Sequence, residues 1–338
     1  MDRDRRVPAG EALTDGTVDM HRIVCIERAT LGPGIALRAP RLPHLWEEHD
    51  ATPLNEITAR LTAADIAVVN KLPIGESVLE QLPGLRMIAV SATGTDNVDL
   101  ASCRRRGIVV SNIRGYAMTT VPEHTFALIL ALRRGIVGYA QSVQRGDWQR
   151  AGQFCYFDFP ISDLRGARLG IVGGGAIGAA VAAIGRAFGM DVAFSTQRGG
   201  PERAHYIPFE AVIETADVLT LHCPLTPATR GMIDRRVLRR MKRSAILVNT
   251  ARGGLIVDAD LVEAIRGGWI AGAAIDVTTP EPPPANHPLM RLAGHPNFIL
   301  TPHVAWASVQ ARQAVADQLI DNIDAFMTGA PRNDVASG

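Results

Sequence analysis

The chain has 338 residues, with 35 Lys and Arg against 34 Asp and Glu, a formal net charge of +1 and 47% hydrophobic residues. This composition excludes the low-hydrophobicity, high-charge regime of disordered chains. So balanced a charge also argues against a partner that is nucleic acid or a membrane surface, since such proteins carry a basic excess.

The length predicts two domains of ordinary size, and an aromatic share of 5% leaves the core to Val, Ile, Leu and Ala. The first 19 residues are polar and hold no apolar run of the kind a signal peptide needs, so they are read as an extension outside the fold. The four cysteines, at 25, 103, 155 and 223, form no C-x-x-C pair and are irregularly spaced. That favours reduced thiols in a cytoplasm over a zinc site or a disulfide framework, and no metal ligands are predicted.

From residue 22 onward short apolar runs alternate with helical patterns. Strands are predicted at 23–26, 66–70, 87–90 and 108–110, with helices near 53–61 and 75–82 between them. None of these runs alternates cleanly, the mark of strands buried on both faces of a parallel sheet. Thr119-Thr120-Val121-Pro122-Glu123 then carries helix-start signals, a Thr cap and an early Pro and acid, ahead of a continuously apolar helix through Leu132. That helix is placed at the junction of the domains.

A second series follows, with strands predicted at 168–172, 191–194, 218–222, 245–249, 273–277 and 298–301, enough for a full dinucleotide-type sheet. Leu169 to Gly185 is uncharged over 17 residues, but six of them are Gly and the run is short of the length that spans a bilayer. The last amphipathic pattern, 308–327, comes too late for this sheet and is predicted to return to the first domain. The expected fold is α/β, two Rossmann-like domains with doubly wound parallel sheets and an active-site cleft between them. Residues 20–120 plus 306–338 would form a substrate domain and 121–305 a dinucleotide-binding domain. Two basic clusters, at 104–106 and 235–243, are read as solvated faces.

Gly173-Gly174-Gly175-Ala176-Ile177-Gly178 fits G-x-G-x-x-G between a strand and an apolar helix, the context in which the motif binds a dinucleotide. Gly173 permits the tight turn, Gly175 lets the backbone approach a pyrophosphate, and Gly178 lets helix and strand pack closely. The helix N-terminus, at Ala176 and Ile177, offers N–H groups to the anion. A glycine-rich turn without a ligand is the alternative. The next strand ends in Ser195-Thr196-Gln197-Arg198 with no acid to hold a ribose 2′-hydroxyl. Hydroxyls and a guanidinium there suit the 2′-phosphate of NADP(H), with NAD(H) the alternative if Arg198 is merely solvated.

Three later strands are each followed by one residue of catalytic type: Arg252, Glu281 and His303. A carbonyl reduction by such a dinucleotide would require a hydride donor, a proton donor at the carbonyl oxygen and, for an acidic substrate, a cation for the carboxylate. His303 suits the second role because an imidazole titrates near neutrality. Glu281 would orient it and favour its charged form, and Arg252 would hold the carboxylate with a planar, permanently charged fork. Taken singly, each residue has a plainer reading as a salt-bridge former, a solvated loop acid or a capping histidine.

The glycine turn, the Arg252 segment running on to Asp258, Glu281-Pro282 and Thr301-Pro302-His303, separated by 29 and 22 residues, resemble the D-isomer-specific 2-hydroxyacid dehydrogenase family over about residues 22–330. Within it, Phe154–Ile161 and His303–Ser308 are similar to the glycerate dehydrogenase, or hydroxypyruvate reductase, branch. The resemblance implies an oxidoreductase that reduces a small 2-keto acid, hydroxypyruvate or glyoxylate, to the D-2-hydroxy acid, D-glycerate or glycolate, using NAD(P)H. Enzymes for bulkier 2-keto acids, and dinucleotide-sensing proteins without turnover, are the alternatives. Trp306 and Phe154 are candidate walls of a small pocket.

It further implies substrate contacts from Arg252 and His303, from the loop holding Ala92, Thr93 and Gly94, and from Lys71, whose other reading is a solvated strand-end lysine. Val121 would lie under the nicotinamide ring. His222, Cys223, Pro224 and Thr229 would line the adenosine side, and Thr250, Ala251 and Asp276 would approach the nicotinamide ribose and carboxamide. His303 and Ala305 complete the cofactor set. Cleft closure would exclude water. A homodimer formed through the cofactor domain is implied, with the aromatic 135–165 region contributing.

Overall fold

The computed structural model describes residues 20–337. The proposed extension at residues 1–19 lies outside the described residues. The chain divides into two compact units, one running to Tyr116 and resuming at Val309, the other spanning Ala117–Ser308.

The first unit holds five strands, β1 (His21–Cys25), β2 (His44–Glu48), β3 (Ile66–Val69), β4 (Met87–Val90) and β5 (Val109–Ser111). They form one parallel sheet in the order β2-β1-β3-β4-β5. Every residue of β3 and β4 is buried, which is why both read as unbroken apolar runs. Helices α1 (Ile57–Leu61), α2 (Glu76–Leu79) and α3 (Leu100–Arg105) lie between strands. The predicted helices at 53–61 and 75–82 are shorter than expected, the first opening with a 3-10 turn at Leu54–Glu56.

β2 has no counterpart among the predicted strands. Its sequence, HLWEE, is a polar edge strand with Leu45 exposed, so it carries no apolar run. Pairing with β1 and an Arg22–Glu47 ion pair of 2.7 Å hold it.

The second unit opens with α4 (Thr120–Arg133), α5 (Ile136–Gln144) and α6 (Asp147–Ala151). The start of α4 departs from expectation: Thr119 stands at the N-cap with helical dihedrals, and its side chain makes no capping bond. The neighbouring Thr120 hydroxyl instead donates to the Ala305 carbonyl at 3.1 Å.

Then follow β6 (Arg168–Val172), α7 (Ala176–Ala187), β7 (Asp191–Ser195), α8 (Phe209–Thr215), β8 (Val218–Leu221), α9 (Arg235–Arg240), β9 (Ile246–Asn249), α10 (Asp258–Arg266), β10 (Gly272–Ile275) and β11 (Phe298–Leu300). The six strands are parallel, in the order β11-β10-β9-β8-β6-β7. In β9, Ile246 and Val248 enter one hydrophobic core while Leu247 enters the other. Both faces of the strand are therefore covered, and the fold class is α/β. α4 belongs to the core that also holds Leu169, Ile171 and Val181.

The uncharged run 169–185 is a strand, a turn and a helix rather than one span. Among the described residues no single helix is long and apolar enough to cross a membrane; α4 and α5 pass such a test only together, bent by 59°.

The final helix, α11 (Val309–Met327), belongs to the first unit. Asn322 there donates to the Asn112 carbonyl at 3.0 Å, and Arg38 pairs with Asp324 at 2.8 Å. In the two basic clusters, Arg105 pairs with Glu76, Arg235 with Asp260 and Glu263, and Arg240 with Glu214, while Arg239 covers the Trp269 ring at 4.0 Å.

Candidate active site

Parallel strands release their chains at one edge of a sheet, and in open α/β sheets ligands sit outside that edge, where successive strands depart in opposite directions. In the second unit this point lies between β6 and β8. The glycine turn follows β6, and His222-Cys223-Pro224 follows β8.

The two segments touch. A Cβ on Gly173, whose φ is +111°, would come within 2.4 Å of the His222 carbonyl oxygen. One on Gly178 would lie 2.0 Å from the Gly173 oxygen, so helix and turn approach more closely than any side chain allows. A Cβ on Gly175 would meet nothing within 4 Å. The turn is thus tight at its ends and open at its middle, ahead of the first-turn N–H groups of α7, which have no intrahelical acceptors. These features fit a dinucleotide pyrophosphate, which Gly175, Ala176 and Ile177 would hold. Beside them His222 Nε2 lies 2.9 Å from the Thr220 hydroxyl, and burial pushes the imidazole down to about 4, so it is neutral at pH 7. Burial likewise raises the Cys223 thiol to about 11.

At the β7 end the Ser195 and Thr196 hydroxyls already make bonds to the main chain. Both residues are buried: Ser195 Oγ donates to the Thr196 carbonyl at 2.8 Å, and Thr196 Oγ1 accepts from the Phe209 amide at 3.2 Å. Gln197 opens an exposed turn to Gly200. Arg198 pairs with Asp234 at 3.0 Å and donates to the Met232 carbonyl at 3.1 Å.

Sequence reasoning missed Tyr206. Its hydroxyl occupies the space that a side chain at Gly174 would take, and its ring packs against Phe194 and beneath the Arg203 guanidinium. The sequence signal for it is the extra glycine at 174, an x position of the motif.

At the same edge, Arg252, Glu281 and His303 follow the neighbouring strands β9, β10 and β11. His303 Nδ1 and Glu281 Oε2 lie 2.7 Å apart. An ionised carboxylate only accepts, so Nδ1 carries the hydrogen and Nε2 is left to exchange a proton. Glu281 is itself placed by the Thr278 amide, which donates to its Oε1 at 2.9 Å.

The loop bearing His303 hangs from Asp276, which is 1% exposed. Asp276 Oδ1 accepts from the Thr301 hydroxyl at 2.5 Å and the Val304 amide at 3.0 Å; Oδ2 accepts from the Ala305 amide at 2.9 Å. Sequence reasoning assigned Asp276 to the cofactor; within the chain these bonds make its carboxylate the anchor of the loop. His124 joins the network, 3.3 Å from the Thr301 hydroxyl. His303 has a φ of +53°, so the turn carries its side chain out of a left-handed backbone conformation that is uncommon for non-glycine residues.

The Arg252 loop is fixed through its backbone. Asn249 Nδ2 donates to the Arg252 carbonyl at 2.9 Å, and Asn249 Oδ1 accepts from the Ala251 amide at 3.0 Å. Gly253 lies so close to Thr278 that a Cβ would sit 2.4 Å from its carbonyl carbon. That contact brings the Arg252 loop against the segment carrying Glu281.

Other sequence-predicted residues have local structural partners. Thr229 Oγ1 donates to the Pro224 carbonyl at 2.8 Å, closing a turn rather than facing outward. The Thr250 hydroxyl lies 3.2 Å from that of Thr125, and Val121 and Ala305 are buried. Phe154 is 90% exposed, which does not suit it to wall a pocket within the chain. In the first unit, Lys71 follows β3 and Ala92, Thr93 and Gly94 follow β4, on adjacent strands. The Thr93 hydroxyl donates to the Ile113 carbonyl at 2.7 Å. Among the described residues no group of three or more His, Cys, Asp or Glu could hold a metal ion.

A six-stranded parallel sheet with this glycine turn and an Arg, Glu and His at its ligand edge defines a nicotinamide-dinucleotide oxidoreductase fold. Residues 126–305 match the model for the D-isomer specific 2-hydroxyacid dehydrogenase, NAD binding domain. The chain is 49% identical over 316 residues to glycerate dehydrogenase of Methylorubrum extorquens, covering 92% of this chain and 98% of that one. It is 34% identical over 320 residues to hydroxypyruvate reductase of Blautia hydrogenotrophica, with the same coverages. Among solved structures, an NADPH-dependent glyoxylate/hydroxypyruvate reductase from Sinorhizobium meliloti in complex with citrate superposes with a TM-score of 0.78 at 29% identity, covering 94% of this chain and 98% of that one. The chain belongs to the D-isomer-specific 2-hydroxyacid dehydrogenase family, and its cofactor is a nicotinamide dinucleotide.

Proposed function

We propose that this protein reduces a small 2-keto acid, hydroxypyruvate or glyoxylate, to D-glycerate or glycolate, with NADP(H) preferred over NAD(H). The observation that carries the reading is the 2.7 Å contact between His303 Nδ1 and Glu281 Oε2, beside the Arg252 loop and on the sheet that bears the glycine turn. The names of the similar proteins support the substrate class.

The bound dinucleotide supplies a hydride. His303 Nε2 holds the proton that the carbonyl oxygen takes up as it becomes an alkoxide. Glu281 keeps the imidazole oriented and compensates its charge while it is protonated. Arg252 binds the substrate carboxylate and offsets negative charge growing on the carbonyl oxygen. We assign further carboxylate contacts to Lys71, Ala92, Thr93 and Gly94, and cofactor contacts to Val121, Thr250 and the 222–224 segment, on the family resemblance.

The NADP(H) preference rests on residues 195–200, which contain no carboxylate to repel a 2′-phosphate, and on Arg198. Its guanidinium is already paired with Asp234, so the phosphate must compete for it. Absorbance at the nicotinamide band tests both points. Hydroxypyruvate is expected to oxidise NADPH faster than NADH. Arg198→Ala is expected to raise KM for NADPH about tenfold with little change for NADH, the worth of one charge-assisted contact. Equal use of both cofactors by the wild type would overturn the preference alone. Cofactor binding without turnover of any 2-keto acid would overturn the enzyme reading in favour of a dinucleotide sensor.

We place the enzyme in the cytoplasm as a homodimer that neither enters membranes nor binds nucleic acid. Phe154 and Phe157 are 90% and 81% exposed in the single chain, with Trp148 and Ile161 half-exposed nearby. So much apolar surface in one segment suits burial against a second copy. Phe154→Asp combined with Phe157→Asp is expected to shift the species in analytical ultracentrifugation from dimer to monomer. An unchanged mass would place the interface elsewhere.

A further inference from the structure

The first unit has a ligand edge of its own, at the point between β1 and β3 where the chain departs in opposite directions. A carboxylate of the protein fills it. Glu27, two residues beyond β1 and 9% exposed, accepts from three successive amides that follow β3. These are Asn70 at 2.6 Å, Lys71 at 3.0 Å to each oxygen, and Leu72 at 3.1 Å.

Successive N–H groups converging on one point form a nest, a fixed patch of positive potential that binds anions. Here the anion is built in. The amides of 70–72 are thus taken, and the group of this loop assigned to the substrate carboxylate is the Lys71 side chain.

The same loop is tied on its far side. Asn97 Nδ2 donates to the Leu72 carbonyl at 2.8 Å, and the Ile74 amide donates to the Asn97 carbonyl at 2.7 Å. Asn97 lies three residues beyond Gly94. Glu27 and Asn97 therefore clamp the Lys71 loop to the segment that holds Ala92, Thr93 and Gly94.

We propose that Glu27 is a positioning residue for substrate binding: its carboxylate fills the nest at Asn70, Lys71 and Leu72 and so sets where Lys71 stands. The inference rests on the proposed role of Lys71 as a substrate contact.

Replacing Glu27 by Gln keeps the shape but removes the charge, and it turns an NH2 toward three donors. Hydrogen bonds to charged groups are among the stronger ones. E27Q is expected to raise KM for hydroxypyruvate about tenfold, with kcat and the NADPH Kd changed less than about twofold. K71A is expected to raise KM similarly, and E27Q added to K71A to cost nothing further, because both act through one side chain. Asn97→Ala, which releases the outer tie, is expected to give the same split at about threefold, and it carries the test if E27Q yields no soluble enzyme.

A raised KM in K71A with an unchanged KM in E27Q would overturn the role of Glu27 and leave the substrate reading of Lys71 standing. An unchanged KM in K71A would overturn that reading and the inference with it. Parallel losses of kcat, KM and NADPH affinity in E27Q would mark a merely structural carboxylate and overturn the proposal.

Discussion

Replacing His303 by Asn is expected to lower kcat for hydroxypyruvate reduction by about a thousandfold, within the range that positioned acid–base groups contribute, while NADPH affinity stays within about twofold. The loop does not depend on the imidazole. Asp276 holds it through the Thr301 hydroxyl and the Val304 and Ala305 amides, and the His303 amide donates to the Asp276 carbonyl at 2.8 Å. Asn also tolerates the positive φ at this position better than most residues. The variant should therefore fold and bind cofactor, leaving the proton at Nε2 as the main loss.

Single-turnover absorbance with NADPH separates chemistry from product release and checks this directly. Glu281→Gln is expected to show a smaller loss of the same kind, since the ring keeps a hydrogen-bonding neighbour and loses only the compensating charge. Turnover by His303→Asn at the wild-type rate would remove His303 as the proton donor.

How much of this site is legible in sequence follows from which forces arrange it. The second sheet is legible because its strands are covered on both faces, so that Ile246, Leu247 and Val248 must all be apolar although they enter different cores. Once a parallel sheet is inferred, the residues that follow neighbouring strands gather at one edge. Arg252, Glu281 and His303 can thus be grouped from their spacing alone.

What the sequence hides is direction. Ser195 and Thr196 read as ligand-facing hydroxyls, and no sequence feature hints that Ser195 Oγ donates to the Thr196 carbonyl or that Thr196 Oγ1 accepts from the Phe209 amide. Asp276 reads as a cofactor group, and nothing in the sequence shows that its buried carboxylate also clamps a loop 25 residues on, at Thr301. Glu27 offers no signal at all. An acid after a strand is ordinary, and its three amide partners lie 43 to 45 residues away, brought near only by the strand order. β2 fails for the opposite reason: an edge strand needs no apolar run, so HLWEE carries none.

Arg252→Ala is expected to lower kcat/KM by about ten-thousandfold. Roughly half of that loss, on a logarithmic scale, would fall in KM, because a carboxylate loses a charged, two-pronged partner. The other half would fall in kcat, because negative charge on the carbonyl oxygen loses a permanently charged partner. The division matters more than the total. A group that bound only the ground state would move KM alone.

The fold should again survive, since the loop is held by Asn249 and by the close approach of Gly253 to Thr278, none of which uses the guanidinium. The guanidinium bond from Nη1 to the Ala251 carbonyl, at 2.8 Å, stays within the loop. Arg252→Lys restores charge without the planar fork. It is expected to recover about a hundredfold in kcat/KM, mainly through kcat, because a point charge can balance the oxygen but cannot grip the carboxylate at two points. Full rescue by Lys would show that charge alone suffices at this position. A kcat unchanged in Arg252→Ala would confine the residue to substrate binding and leave His303, oriented by Glu281, as the proposed group acting on the carbonyl oxygen.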